Sequence, residues 1–281
     1  MSGTLFVVAT PVGNLGDLSP RALAILRDVT LIACEDTRRT ARLLAHFSID
    51  TPMLSCHKFN ERSRLSPVLA HLAGGEDVAL VSDGGTPVVS DPGLSLVEAV
   101  WEQGSSVRPL PGPSAVAALL SVAGLTADRY VFEGFLPHRG GDRRRLLREL
   151  KRETRTVVCF EAPHRIHATL TDLASILGRR TVVLGRELTK IHETLLRGAA
   201  TEIAAQLGTA PRGEITLAWR GYDPRRSDGD ETDDADGLGA RWRAALTEAE
   251  GDRRAALKRL SRESGISRDR LRRRLDEIDE S

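Results

Sequence analysis

Cysteine is scarce: Cys34, Cys56 and Cys159 are the only three in 281 residues. An odd count at wide spacing with no CxxC pair offers neither a disulfide framework nor a zinc or redox motif, and predicts three small buried hydrophobes. Long apolar runs are missing too. The densest, residues 115–125, is broken by Ser121 and Gly124 and falls well short of the roughly 20 residues a membrane span needs. The chain runs from Met1 straight into the apolar residues 6–9 without a basic segment or a long hydrophobic one. A secretory signal is therefore not expected, and a cytoplasmic location is. No internal repeat is visible. His164 and His167 are spaced to share one side of a helix, with Glu161 nearby, but a pair with one neighbouring carboxylate is a poor zinc set and no metal is expected.

What remains is an ordinary globular composition, 41% hydrophobic and 28% charged, which argues against a disordered, collagen-like or coiled-coil chain. The length suits about two domains. A net charge of +1 conceals segregation: Lys and Arg exceed Asp and Glu by three in residues 1–222, fall short by five in 223–237, and exceed by three in 238–281. The middle block is acidic with almost nothing apolar, which is linker composition, and it sets 238–281 apart. Basic charge is densest over residues 139–155, where eight Lys and Arg meet three Asp and Glu and where Arg143, Arg144 and Arg145 are consecutive. Such a face suits phosphate, and a solvated helix surface has the same composition.

Through residue 222, short β-branched runs alternate with longer amphipathic ones. Strands are predicted over 5–9, 30–34, 78–81, 131–132, 156–160, 181–184 and 215–219. Helix starts are marked by Ser19 with Pro20, by Asp36 and by Ser114, and a helix over 61–73 ends at Gly74 and Gly75. The alternation predicts an α/β fold.

Three Gly- and Pro-bearing loops interrupt this rhythm: TPVGNLGD at 10–17, SDGGTPVVSDPG at 82–93 and PLPGPS at 109–114. Over 83–93, five of eleven residues are Gly or Pro, so neither helix nor strand continues through it, and a loop that long and constrained points to function. Ligands of open α/β sheets sit outside the carboxyl ends of strands, so the loops predict one composite pocket. Gly13 and Gly16 lack the leading glycine of GxGxxG, and no GKS or GKT follows. Asp83 suits a ribose or amino group, and the amides at Gly84, Gly85 and Gly112 suit adenine or carboxylate oxygens.

VATPVGNLGDLS at 8–19, EDTRRT at 35–40, SDGGTPVVSDPG at 82–93, LPGPSA at 110–115, FEAPHR at 160–165 and RELTKIHE at 186–193 together resemble the bacterial ribosomal RNA small-subunit methyltransferase I family, of the tetrapyrrole-methylase-like class. The resemblance runs from Leu5 to about Trp219. It implies two α/β domains, 1–112 and 113–222, with an S-adenosylmethionine cleft between them. It also implies a homodimer that methylates the ribose 2′-oxygen of a cytidine in the decoding region of 16S ribosomal RNA, with no role for membrane or DNA. Matching the motifs residue by residue, the cofactor would meet Pro11, Val12 and Gly13, then Asp83, Gly84, Gly85, Thr86 and Pro87, then Ser114 and Ala115. The second domain would contribute around Glu161, Ala162, Gly213 and Glu214. Gly84 stands where the family often has alanine, for which only a more flexible loop is expected.

A sulfonium methyl is already activated, so alignment supplies much of the rate, while a ribose hydroxyl, a very weak acid, gains from a base. Candidates are Glu35, Asp36, Glu161, Glu187 and Lys190. Each also fits an ordinary ion pair, as Glu35 with Arg38 or Arg39 and Glu187 with Lys190. A precorrin or diphthine-type methyltransferase would share fold and cofactor, and a non-catalytic RNA-binding assembly factor is the alternative outside enzymes; the EDTR and EAPHR motifs and the basic segments favour RNA. Residues 240–275 predict helices broken at 264–267. Ser267 would cap a helix carrying Arg268, Asp269, Arg270 and Arg272 to Arg274, in an arrangement similar to a small helix-turn-helix, a dimerisation hairpin or a solvated bundle.

Overall fold

A computed structural model describes residues 2–209, 211–224, 235–249, 251–264 and, past them, 268, 269, 271, 272 and 275. Two five-stranded sheets organise it. The first contains β1 (Thr4–Val8), β2 (Leu31–Cys34), β3 (Met53–Ser55), β4 (Val78–Val81) and β5 (Ser106–Leu110), all parallel in the order β3-β2-β4-β1-β5. Side chains alternate across it, so Ile32 and Cys34 pack on one face with α1 (Pro20–Asp28) and α2 (Thr37–His46), while Leu31 and Ala33 pack on the other with α3 (Glu61–Ala73) and α4 (Leu94–Glu102). The predicted caps form: Ser19 Oγ accepts from the Ala22 amide at 3.1 Å and Asp36 Oδ1 from the Arg38 amide at 2.9 Å.

The second sheet is mixed. It contains β6 (Tyr130–Phe135), β7 (Thr156–Glu161), β8 (Val182–Arg186), β9 (Thr194–Gly198) and β10 (Ile215–Trp219) in the order β6-β7-β10-β8-β9, and only β6 and β7 run parallel. α5 (Ala115–Ala123) covers one face with Val116, Leu119 and Leu120 against Val158, Val183 and Ala218. The other face is covered by α6 (Gly140–Glu149), α7 (Ile166–Leu177) and α8 (Ala200–Gln206). α9 (Ala235–Glu248) and α10 (Arg253–Ser264) share a separate cluster around Trp242, Leu257 and Leu260. Among the described residues no helix is long and apolar enough to cross a membrane. All three cysteines are buried thiols.

The sequence missed β3, β5 and β9, each at the edge of its sheet. Central strands β2, β4 and β10 are buried along their whole length and read as continuous apolar runs, whereas β3, β5 and β9 are half-exposed and carry polar residues or, at Pro109, a proline that only an edge tolerates. A second correction concerns the basic run. Arg143 is buried, with Nε and Nη2 at 2.8 and 2.7 Å from Asp172 Oδ2 on α7, so it holds α6 to α7, and only Arg144 and Arg145 reach solvent. Most of the expected acidic linker, 225–234, lies outside the described residues, as do the break at 265–267 with the Ser267 cap, and Arg270, Arg273 and Arg274.

Candidate functional site

The loops after β1 and β4 are stitched together at the carboxyl end of the first sheet. Thr10 and Gly85 exchange both backbone hydrogen bonds at 2.9 Å, and Thr10 Oγ1 donates to the Ser82 carbonyl at 3.2 Å. Glycine permits this. A Cβ on Gly84 would stand 3.1 Å from the Pro11 carbonyl oxygen, and Gly85 has φ +92°. Gly84 is thus fitted against the neighbouring loop, where a Cβ would require the Pro11 carbonyl to give by a few tenths of an ångström. The same loop holds Val88 at φ +73° and Ser90 at φ +64°, a cost that the surrounding packing must offset. Thr86 Oγ1 donates to the Pro113 carbonyl at 3.3 Å, joining this loop to the one before α5.

These loops face the second sheet across a cavity of about 460 Å³, within the ~300–1,000 Å³ usual for small-molecule sites. Of the predicted cofactor residues, Val12, Asp83, Gly84, Gly85 and Thr86 line it from one side, and Ser114, Ala115, Ala162 and Gly213 from the other. Pro11 and Gly13 line a smaller adjoining cavity instead, and Pro87 lines neither. Gly112, read as a backbone approach to ligand, lies against protein: its Cβ would meet Ala9 Cβ at 3.1 Å. Sequence reasoning missed Arg39, Asp91, Phe135 and Phe160. Arg39 and Phe160 stand inside EDTRRT and FEAPHR, and Asp91 inside the long loop, so the signal was there, but nothing local said which side chains turn inward.

The carboxylate candidates separate by environment. Asp36 caps α2 and makes a two-oxygen pair with Arg38, 3.0 and 2.7 Å, which holds it well below the usual carboxylate range. That engagement leaves it a cap, not a base. Glu161 lines the cavity too, but its side chain has no solvent exposure and both oxygens are engaged, accepting from Thr169 Oγ1 at 2.6 Å, the Ala162 amide at 2.7 Å and Arg165 Nη2 at 2.5 Å, so it braces the turn that presents Ala162. Lys190 lies between Glu187 at 2.9 Å and Glu214 at 3.0 Å. Burial works against its charge, yet those two hydrogen bonds raise its pKa above the ordinary value, so it stays a cation. Its stem crosses the first loop so closely that a Cβ on Gly13 would stand 2.2 Å from Lys190 Cγ, and the Asn14 amide donates to Thr189 Oγ1 at 3.1 Å. Gly13 and Lys190 therefore form a contact between the two halves.

Glu35 is different. It lines the cavity, and desolvation, with Asp83 and Asp91 close by, raises it to about 6. Asp91 is likewise raised to about 6, chiefly by desolvation, and Asp83 is raised by desolvation against the pull of Arg39 at 3.5 Å. A carboxyl whose folded pKa exceeds its unfolded one stabilises the fold below the unfolded value, and that stabilisation is lost as pH rises through the folded value. The ligand-free protein should therefore lose stability between about pH 4 and pH 6 through Glu35 and Asp91. Asp91→Asn should flatten that fall and melt higher than the parent at pH 7.5 in thermal scans; a lower melting temperature there would contradict the assigned strain. Among the described residues, no group of three or more His, Cys, Asp or Glu is placed to hold a metal ion.

The tetrapyrrole (corrin/porphyrin) methylase family model matches residues 4–204. A Synechocystis sp. protein named ribosomal RNA small subunit methyltransferase I is 46% identical over 257 residues, spanning 90% of this chain and 92% of that protein. The chain belongs to the ribosomal RNA small subunit methyltransferase I family. A methyltransferase I relative from Thermotoga maritima is 46% identical over 220 residues, 78% of this chain and 99% of the relative. The solved uroporphyrin III C-methyl transferase from Thermus thermophilus superposes with a TM-score of 0.57 at 18% identity, over 77% of this chain and 97% of that one. That likeness shows the fold, two sheets with a cleft, which in this methyltransferase I member carries the acidic cavity described above.

Proposed function

We propose that the protein transfers a methyl group from S-adenosylmethionine to the ribose 2′-oxygen of a cytidine in the decoding region of 16S ribosomal RNA, acting on the small ribosomal subunit. The observation that carries the reading is the cavity at the carboxyl ends of the parallel strands, whose five carboxylates, Glu35, Asp83, Asp91, Glu161 and Glu214, outnumber its one guanidinium, Arg39. A surplus of negative charge with apolar walls suits a cationic ligand with a flat aromatic end. When bound, S-adenosylmethionine supplies the activated methyl on its sulfonium. Val12, Val116, Phe135 and Phe160 offer apolar surface for adenine, and the close-set backbone at Gly84, Gly85 and Ala162 offers hydrogen-bonding groups. Glu35, half-buried and with its pKa raised, is the carboxylate we assign as acceptor of the ribose proton, being ionised at neutral pH yet a stronger base than an exposed one.

The relatives' names favour ribosomal RNA over precorrin or diphthine substrates and over a non-catalytic role. A homodimer in the cytoplasm belongs to the same proposal, as do domain limits at 1–112, 113–222, a linker over 223–237 and an appendage over 238–281. The separate apolar cluster of α9 and α10 and the Thermotoga relative, matched almost end to end by 78% of this chain, support those limits. Deleting 238–281 should leave a folded core whose cofactor affinity, by calorimetry, stays within about twofold of the parent; an insoluble core would refute the boundary. The reading itself is tested by nucleoside mass spectrometry of ribosomal RNA from cells with and without this gene. One 2′-O-methylcytidine should vanish from 16S RNA, and an unchanged nucleoside profile would refute it.

A further inference from the structure

A second cavity, about 170 Å³, adjoins the first and shares Arg39 and Asp83 with it. At that size it is below the range of free-standing small-molecule sites, so it suits part of a larger ligand. Its charge is opposite to that of its neighbour. The first cavity has five carboxylates to one guanidinium, whereas in the second Arg39 and Arg42, one turn apart on α2, bring two guanidiniums against Asp83 alone. Pro11, Leu15 and Leu43 supply apolar wall. Arg42 is exposed and makes no ion pair or hydrogen bond with any described residue, unlike Arg38, which Asp36 engages.

We infer that this second cavity seats the phosphodiester and sugar next to the methylated nucleotide, with Arg42 and Arg39 on the phosphate; this rests on the RNA reading above. The paired Arg39 and Asp83 then form the partition between a cation-selecting chamber and an anion-selecting one, so that each ligand is steered to its own side by charge before contact. Guanidinium forks suit phosphate oxygens, and the sugar face suits the Pro11 and Leu43 surface. Two adjoining chambers of opposite sign also place acceptor and donor at one shared boundary, where transfer requires them.

The test uses the full-length protein, 16S-containing small subunits, and Arg42→Ala, Arg42→Glu and Arg42→Lys. Arg42→Ala should raise KM for the RNA substrate about tenfold with kcat within about twofold, and lower the slope of log affinity against log salt by roughly 0.7–0.9, the value of one phosphate contact. Arg42→Glu should weaken RNA further, and Arg42→Lys should restore the slope. Cofactor affinity by calorimetry should be unchanged in all three. An unaltered salt slope in Arg42→Ala and Arg42→Glu, or a parallel loss of cofactor binding, overturns the assignment while leaving the RNA reading intact. A parent protein that binds S-adenosylmethionine but neither binds nor methylates the RNA overturns both.

Discussion

Small subunits carrying 2′-deoxycytidine at the target position should bind the protein with nearly the affinity of the natural subunit and receive no methyl group. Affinity for a folded polyanion comes mainly from phosphates, which the substitution leaves in place. The 2′-hydroxyl is the group that distinguishes RNA from DNA at one nucleotide, and in the proposed reaction it is also the nucleophile. Removing one oxygen thus separates binding from chemistry. With labelled cofactor, transfer should fall to background on the deoxy substrate, and filter binding should move by less than about threefold. Label on the deoxy substrate, or on the cytosine ring of the natural one, would show that the acceptor atom is wrong.

Arg143→Ala should lower stability by about 3–5 kcal/mol, because it leaves the buried Asp172 carboxylate without its main partner. Side-chain exposures of 6% for Arg143 and 11% for Asp172 mean that water cannot replace the lost guanidinium, and Arg144, at 3.5 Å and half-exposed, is a weak substitute. At about 2–4 °C per kcal/mol for a unit of this size, melting should drop by roughly 10 °C. Arg145→Ala, whose pair with Asp142 is exposed, should move stability by less than about 0.5 kcal/mol. Replacing both partners, Arg143→Met with Asp172→Leu, should recover most of the loss. A single-variant loss under about 1 kcal/mol would show that the pair is not what holds α6 to α7. Chemical denaturation of the three proteins decides it.

The same residue shows where reading the chain succeeds and where it stops. Arg143, Arg144 and Arg145 are indistinguishable in sequence, and a phosphate-binding face over all three was a fair expectation. Which one turns inward depends on an aspartate 29 residues away on another helix. Lys190 likewise reads as a base beside Glu187, and only the approach of Glu214 and Gly13 makes it a clamped cation between the two halves. Asp36 was a base candidate and a helix-start signal at once, and the cap with its Arg38 pair is what formed.

By itself the sequence determined what short-range physics decides. The helix starts at Ser19, Asp36 and Ser114 depend on a side chain meeting an amide two or three residues on, the central strands on unbroken apolar runs, and the functional loops on glycines and prolines that forbid regular structure. Tertiary structure decided everything whose partner is distant in the chain. The edge strands β3, β5 and β9 lacked an apolar signature because they are half-exposed. α4 begins without a cap of its own, and Glu61, 35 residues earlier, accepts from the Leu96 amide at 3.0 Å. The two halves meet through Asn14 and Thr189, 175 residues apart, and the two oppositely charged cavities exist because α2 lies across the loops of β1 and β4. A residue's neighbours within one turn are fixed by covalent spacing, whereas these contacts exist only once the sheet order has brought remote segments together, and no local pattern carries that order.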